Sequence, residues 1–113
     1  MAHPDHVYVR HILDAVLRIK EYLQGIEEDE FYRSYLVQDG VIRQLEIIGE
    51  ASKQISKETR RKHSSIPWKD MAGMRDKLIH DYFGVDVEQV WVTAGNDIPI
   101  LEIEIVEVLH FLQ

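Results

Sequence analysis

Arg75, Asp76 and His80 sit within one short run, Arg75-Asp76-Lys77-Leu78-Ile79-His80, and these residue types together can move a proton and hold a negative charge. Histidine titrates near neutral pH, so it can serve as general base and general acid. Arginine keeps its charge at any accessible pH, and its planar fork matches a phosphate. Cleavage of RNA by its own 2′-hydroxyl needs this pair: a group that transfers protons, and a fixed positive charge on the phosphorane-like transition state. That chemistry requires no metal, and no cofactor is expected.

The spacing reads as helical. At about 100° per residue, Met71, Leu78, Ile79 and Tyr82 all fall within about 60° of Arg75. Arg75 therefore lies in the middle of an apolar stripe. A guanidinium there needs a counter-charge. Either Glu46 or Glu50 supplies it in a structural ion pair, or the stripe faces a cleft or a second subunit where an anion does. His80 lies about 140° around from Arg75. Asp76 and His80 form an i, i+4 pair, so the carboxylate can orient the imidazole. One ideal helix does not bring Arg75 and His80 to a single point, and a dimer or the length of the arginine has to close the gap.

The elements that would position these groups are helices. Val9, Ile12, Leu13, Val16, Ile19 and Leu23 recur in steps of three and four, which predicts a helix over about 7–24 that stops at Gly25. A long second helix is expected from about Phe31 to Ser56, with Gly40 and Gly49 each weakening it by roughly 1 kcal/mol relative to alanine. A glycine inside a helix also lets a neighbouring helix approach closely. Residues 58–66 read as a basic connector. The third helix is expected from Pro67 to Phe83, with Ser64 or Ser65 as cap and Gly84 as stop. Asp86 and Gln89 form a capping signature for a fourth helix through Val90 and Trp91. A last segment restarts near Asp97 and Pro99. Ile103 and Ile105 alternate there with Glu102 and Glu104 as in a strand, but Glu107 breaks the alternation and favours a helix. Four or five helices with short connections predict an all-α, antiparallel four- to five-helix bundle, residues 1–113 being a single domain.

Composition bounds the class. The chain has 113 residues, 45 % hydrophobic and 29 % charged, which suits one small globular domain that completes its core by pairing with a second copy. There is no cysteine, so no disulfide framework and no thiolate zinc site. No apolar run approaches the roughly 18 residues that would span a membrane. The first residues lack a signal-peptide pattern, and the cytoplasm is the expected location. A net charge of −7 argues against a polyanion ligand, but residues 53–77 carry eight basic side chains against three acidic ones. Arg60, Arg61 and Lys77 of that cluster are candidate RNA contacts, although a basic helix end is an equally good account of it.

Arg75-x4-His80-x-Tyr82 resembles the core motif of the HEPN superfamily, specifically its HepT-like toxins. Ile42-Arg43-Gln44-Leu45-Glu46-Ile47-Ile48-Gly49-Glu50-Ala51 resembles that family's second-helix signature. Ile66-Pro67-Trp68, Gly73-Met74-Arg75 and Leu78 through Asp86 extend the match over nearly the whole chain. The resemblance implies a helical homodimer whose two motifs meet in a cleft, and a metal-independent endoribonuclease with Arg75 and His80 as catalytic residues. Asp76 stands where the family often has asparagine. The resemblance further implies a nucleotidyltransferase antitoxin of the MNT type as partner, which silences the toxin by transferring AMP to Tyr82. A bulky anion two residues from His80 would compete with RNA for Arg75.

Competing readings remain. A dimer cleft can hold a nucleotide or an acidic partner without turnover, and a purely structural dimerisation domain would seal Arg75 inside one monomer. Glu50 and Asp14 read better as structural ion pairs than as site residues. Trp68 and Trp91 read as core, and His63 as a surface residue. A metal set of Asp76, His80 and Asp81 strains helical directions. His3, His6 and His11 look incidental.

Overall fold

The computed structural model describes residues 3–80 and 84–113, and among them the regular structure is entirely helical. α1 (His6–Leu23) buries Val9, Ile12, Val16 and Ile19, the stripe expected from their spacing. Gly25 follows it with φ of 74°, a left-handed conformation that glycine adopts without a Cβ penalty.

The expected long second helix is interrupted at Ser34. α2 (Glu28–Arg33) ends there, and α3 (Tyr35–Gln54) begins with the Ser34 hydroxyl accepting a hydrogen bond from the Val37 amide at 3.2 Å. A serine that caps the following helix stops the preceding one. The Gln38 side chain clamps the corner by donating to the carbonyl oxygens of Phe31 at 2.9 Å and Tyr32 at 3.1 Å. The basic connector is likewise partly ordered, as α4 (Lys57–Lys62), which Ser56 caps by accepting from the Thr59 amide.

α5 (Trp68–His80) carries the Arg75 motif. The Ser65 hydroxyl donates to Glu104 at 2.9 Å instead of capping this helix. The expected end of the helix at Phe83 falls outside the described residues. α6 (Val87–Val92) is capped by Asp86, which accepts from the Gln89 amide at 3.1 Å. The last helix does not restart after a break. One π-helical turn, Thr93–Asp97, leads directly into α7 (Ile98–Leu112). The wider turn carries the chain toward Pro99, which can donate no backbone hydrogen bond. The alternating isoleucines and glutamates are helical, as Glu107 indicated.

Among the described residues, the four longer helices form the bundle and the shorter ones connect them. α1 packs on both α3 and α7, and α5 packs on α3. Val9, Ile12, Val16, Val41, Leu45, Ile105 and Val108 meet in the core. Asp5 ties the start of α1 to the turn before α4. Its buried carboxylate accepts from the Ser56 hydroxyl and the Thr59 hydroxyl, both at 2.6 Å, and from the Ser56 amide at 3.1 Å. No helix among the described residues is long and apolar enough to cross a membrane.

Candidate active site

The site is built where α5 crosses α3, and Gly49 makes the crossing possible. A Cβ placed on Gly49 would lie 2.2 Å from the Arg75 Cβ and 2.7 Å from the Met71 carbonyl oxygen. Only a residue without a side chain admits α5 at this distance. The close approach sets the root of Arg75 directly against the α3 backbone.

Arg75 is then held by carboxylates from two helices. Its Nε lies 3.1 Å from Glu50 Oε2, and its Nη1 donates to Asp76 Oδ1 at 3.2 Å. Nη2 has no hydrogen-bond partner among the described residues, and the side chain is 29 % exposed. Of the two α3 carboxylates that could pair with Arg75, Glu46 and Glu50, it is Glu50 that does so. The guanidinium is not sealed in the monomer, as a purely structural role would have it.

Asp76 is occupied differently from expectation. It accepts from Lys53 of α3 and from Arg75, and makes no ion pair with His80 among the described residues. The hydrogen bond from Lys53, and then that from Arg75, hold its carboxyl below the usual aspartate range. The physical reason is reach: the Lys53 ammonium on the facing helix comes to Asp76, a contact that no single-helix wheel contains. His80 is exposed at the end of the described part of α5.

Arg75 lines a groove of about 360 Å³ between α1, α3 and α5. Tyr8 and His11 enter it from α1, Arg43, Glu46, Ile47 and Glu50 from α3, and Ile79 from α5. His80 is not among its lining residues. Arg75 thus faces this groove, while His80 is exposed outside its lining. The other candidate contacts are also dispersed. Lys77 lines a separate groove between α5 and α6, and Arg60 and Arg61 lie on α4. Tyr82 and Asp81 lie outside the described residues. Asp14 pairs with Arg10 of its own helix at 3.6 Å. His63 packs edge-on against Phe111, Trp68 is buried, and Trp91 lies against Phe31.

Residues 12–108 match the family described as ribonuclease HepT-like. The chain belongs to the HepT-like ribonuclease family. Among relatives of this HepT-like chain, a Caldanaerobacter subterraneus subsp. tengcongensis protein named as a candidate RNase is 46 % identical over 91 % of this chain and 92 % of its own length. A Thermococcus cleftensis protein, provisionally named ribonuclease HepT, is 50 % identical over 84 % of this chain and 86 % of its own. A longer Methanocaldococcus jannaschii protein, named both gamma-glutamylcyclotransferase and candidate RNase, is 46 % identical over 94 % of this chain. This chain spans about half of that one, 48 %. No solved structure matches this chain.

Three residues around this candidate site escaped sequence reasoning. Lys53 was visible only as part of a basic cluster, and Tyr8 and His11 carried no signal because α1 meets the site only through tertiary packing. Arg43, Glu46, Glu50 and Gln54 recur at three- and four-residue steps along α3, a polar stripe that marks one face of that helix.

Proposed function

We propose that this HepT-like chain, residues 1–113 acting as one domain, is a metal-independent endoribonuclease that works as a homodimer. Arg75 holds the phosphate and neutralises charge that develops on it, and His80 transfers the proton. In the reaction the 2′-hydroxyl loses its proton to a neutral imidazole as its oxygen bonds to phosphorus. The bond to the 5′-oxygen breaks, and that oxygen takes a proton from an imidazolium, leaving a 2′,3′-cyclic phosphate and a 5′-hydroxyl. His80 from each of two subunits serves as base and as acid. The observation that carries the reading is the partly exposed guanidinium of Arg75, fixed at Nε and Nη1 with Nη2 free of partners among the described residues. Such a donor is preorganised for a phosphate oxygen and pays little reorganisation when the anion arrives. The separation of Arg75 from His80 around α5 supports a second copy as the element that completes the site.

Lys77, Arg60 and Arg61 extend the positive surface toward the rest of the RNA, and Asp76 acts through Arg75 and Lys53 by fixing the guanidinium. The partner in this reading is an MNT-type nucleotidyltransferase that places AMP on Tyr82, two residues from His80, where the added anion competes for Arg75. The deciding experiment is RNA cleavage by purified protein in EDTA, wild type against His80→Ala. Cleavage that persists in chelator and vanishes in the variant is the expected result, and cleavage that persists in His80→Ala overturns it. If neither cleaves, an intact mass without added AMP on wild type removes silencing as the explanation and leaves a binding module.

That second reading, a non-catalytic nucleotide- or partner-binding dimer, has one observation in its favour: Asp76 is paired with Lys53 and Arg75 rather than with His80. Ligand binding that survives His80→Ala without any turnover by wild type would select it.

A further inference from the structure

The groove beside Arg75 contains groups that proton transfer and phosphate binding at the motif leave unused. Tyr8 and His11, one helical turn apart on α1, set their rings edge-on with centroids 6.3 Å apart. Both line the groove, with Tyr8 half-buried and His11 exposed. Arg43 enters from α3, exposed and without an ion-pair partner among the described residues. Ile79 contributes apolar surface on the α5 side.

We infer that this groove is a subsite for one nucleotide of single-stranded RNA, its base set against Tyr8 and His11 and its phosphate held by Arg43. The choice of RNA rests on the ribonuclease reading above. Three features lead to the subsite. The volume, 360 Å³, lies at the small end of ligand pockets, which begin at about 300 Å³ and there admit a single small unit. Aromatic rings beside guanidinium groups are what unstacked RNA bases and their phosphates require. Arg43 lies about 10 Å along α3 from Glu50, the residue that holds Arg75, at 1.5 Å per residue. The α3 positions beside the two guanidiniums are therefore about two helical turns apart, which suits successive phosphates of a strand better than a single phosphate. Glu46 in the same groove repels phosphate, and it can accept a hydrogen bond from a base amino group. Its presence assigns the interior of the groove to the base and the rim to the backbone.

The test is fluorescence anisotropy with a labelled 2′-O-methyl oligoribonucleotide, which lacks the attacking hydroxyl and cannot be cleaved. Wild type is compared with Tyr8→Leu, His11→Ala, Arg43→Gln and, as a charge control on α2 outside the groove, Arg33→Gln. Thermal unfolding of each variant verifies the fold, and Tyr8→Leu keeps apolar packing on the core side. Loss of a stacked base weakens binding roughly 5- to 150-fold in Tyr8→Leu. Arg43→Gln lowers the slope of log affinity against log salt by about 0.7, the value for one phosphate contact on a single strand. Arg33→Gln changes neither. Variants in Tyr8, His11 and Arg43 that fold, bind and cleave like wild type overturn the subsite and leave the nuclease reading intact. Binding that depends on Tyr8 and Arg43 in a protein that cleaves nothing supports the subsite while the nuclease reading fails. No binding by wild type overturns the subsite, and cleavage of unmodified RNA by the same protein decides the nuclease reading separately.

Discussion

Replacing Gly49 with alanine places a methyl group where α5 already is. The new carbon would stand 2.2 Å from the Arg75 Cβ and 2.7 Å from the Met71 carbonyl oxygen. Carbon atoms in contact settle at about 3.5–4.0 Å, so the helices must part by roughly 1.5 Å at the crossing. Neither obstacle is the free end of a flexible side chain: one is the root of Arg75 and the other is backbone. Overpacking of this kind costs about 1–3 kcal/mol, and the better helix propensity of alanine offsets about 1 kcal/mol of it. Net destabilisation of about 0–2 kcal/mol leaves the domain folded and lowers its Tm by several degrees. Activity suffers far more. A displacement of about 1 Å at a reacting group can cost on the order of 100-fold, and in the proposed mechanism the displaced group is Arg75 itself. The assay pairs thermal unfolding by circular dichroism with kcat/KM for RNA cleavage. Gly73→Ala in α5 is the control, because nothing lies within 4 Å of its Cβ position, and it should raise stability by about 1 kcal/mol. A Gly49→Ala protein that is more stable than wild type and fully active would refute the argument, since the close crossing could then not be what seats Arg75.

Other expectations follow from single contacts. Asp5→Ala leaves the hydroxyls of Ser56 and Thr59 without their acceptor and should destabilise the fold by about 2–3 kcal/mol in urea unfolding. Burial pushes the Asp5 carboxyl up, but the hydrogen bonds from Ser56 and Thr59 outweigh it and hold the group below its ordinary range. Its contribution is therefore fully present above the unfolded value near 3.9, and is lost as pH falls through the lower folded value. Asp5→Asn should flatten the acid limb of the stability curve below about pH 4. Glu50→Gln removes one of the two carboxylates on Arg75, and an exposed pair is worth about 0.2–1 kcal/mol, so oligonucleotide affinity should rise up to roughly 5-fold. Unchanged affinity would mean that Glu50 does not compete with phosphate. Asp86→Ala removes the cap of α6 and should cost about 1 kcal/mol, seen as a lower urea midpoint with the same slope.

What the sequence determined is what period and local chemistry encode. The steps of three and four in α1, the Asp86 cap and the helical choice for α7 were legible because each depends on neighbours within a few residues. So was the need of Arg75 for a counter-charge, with Glu46 and Glu50 both open as its source, and the structure selects Glu50. The break at Ser34 was missed because a serine inside an amphipathic run looks tolerable until its hydroxyl caps the next helix. The pairing of Asp76 with Lys53, the seat that Gly49 makes for Arg75, and the arrival of Tyr8 and His11 from α1 belong to the tertiary structure alone. Each joins residues far apart in sequence, and the distance between two helices is set by the side chains that pack at their crossing, which no single-helix pattern records.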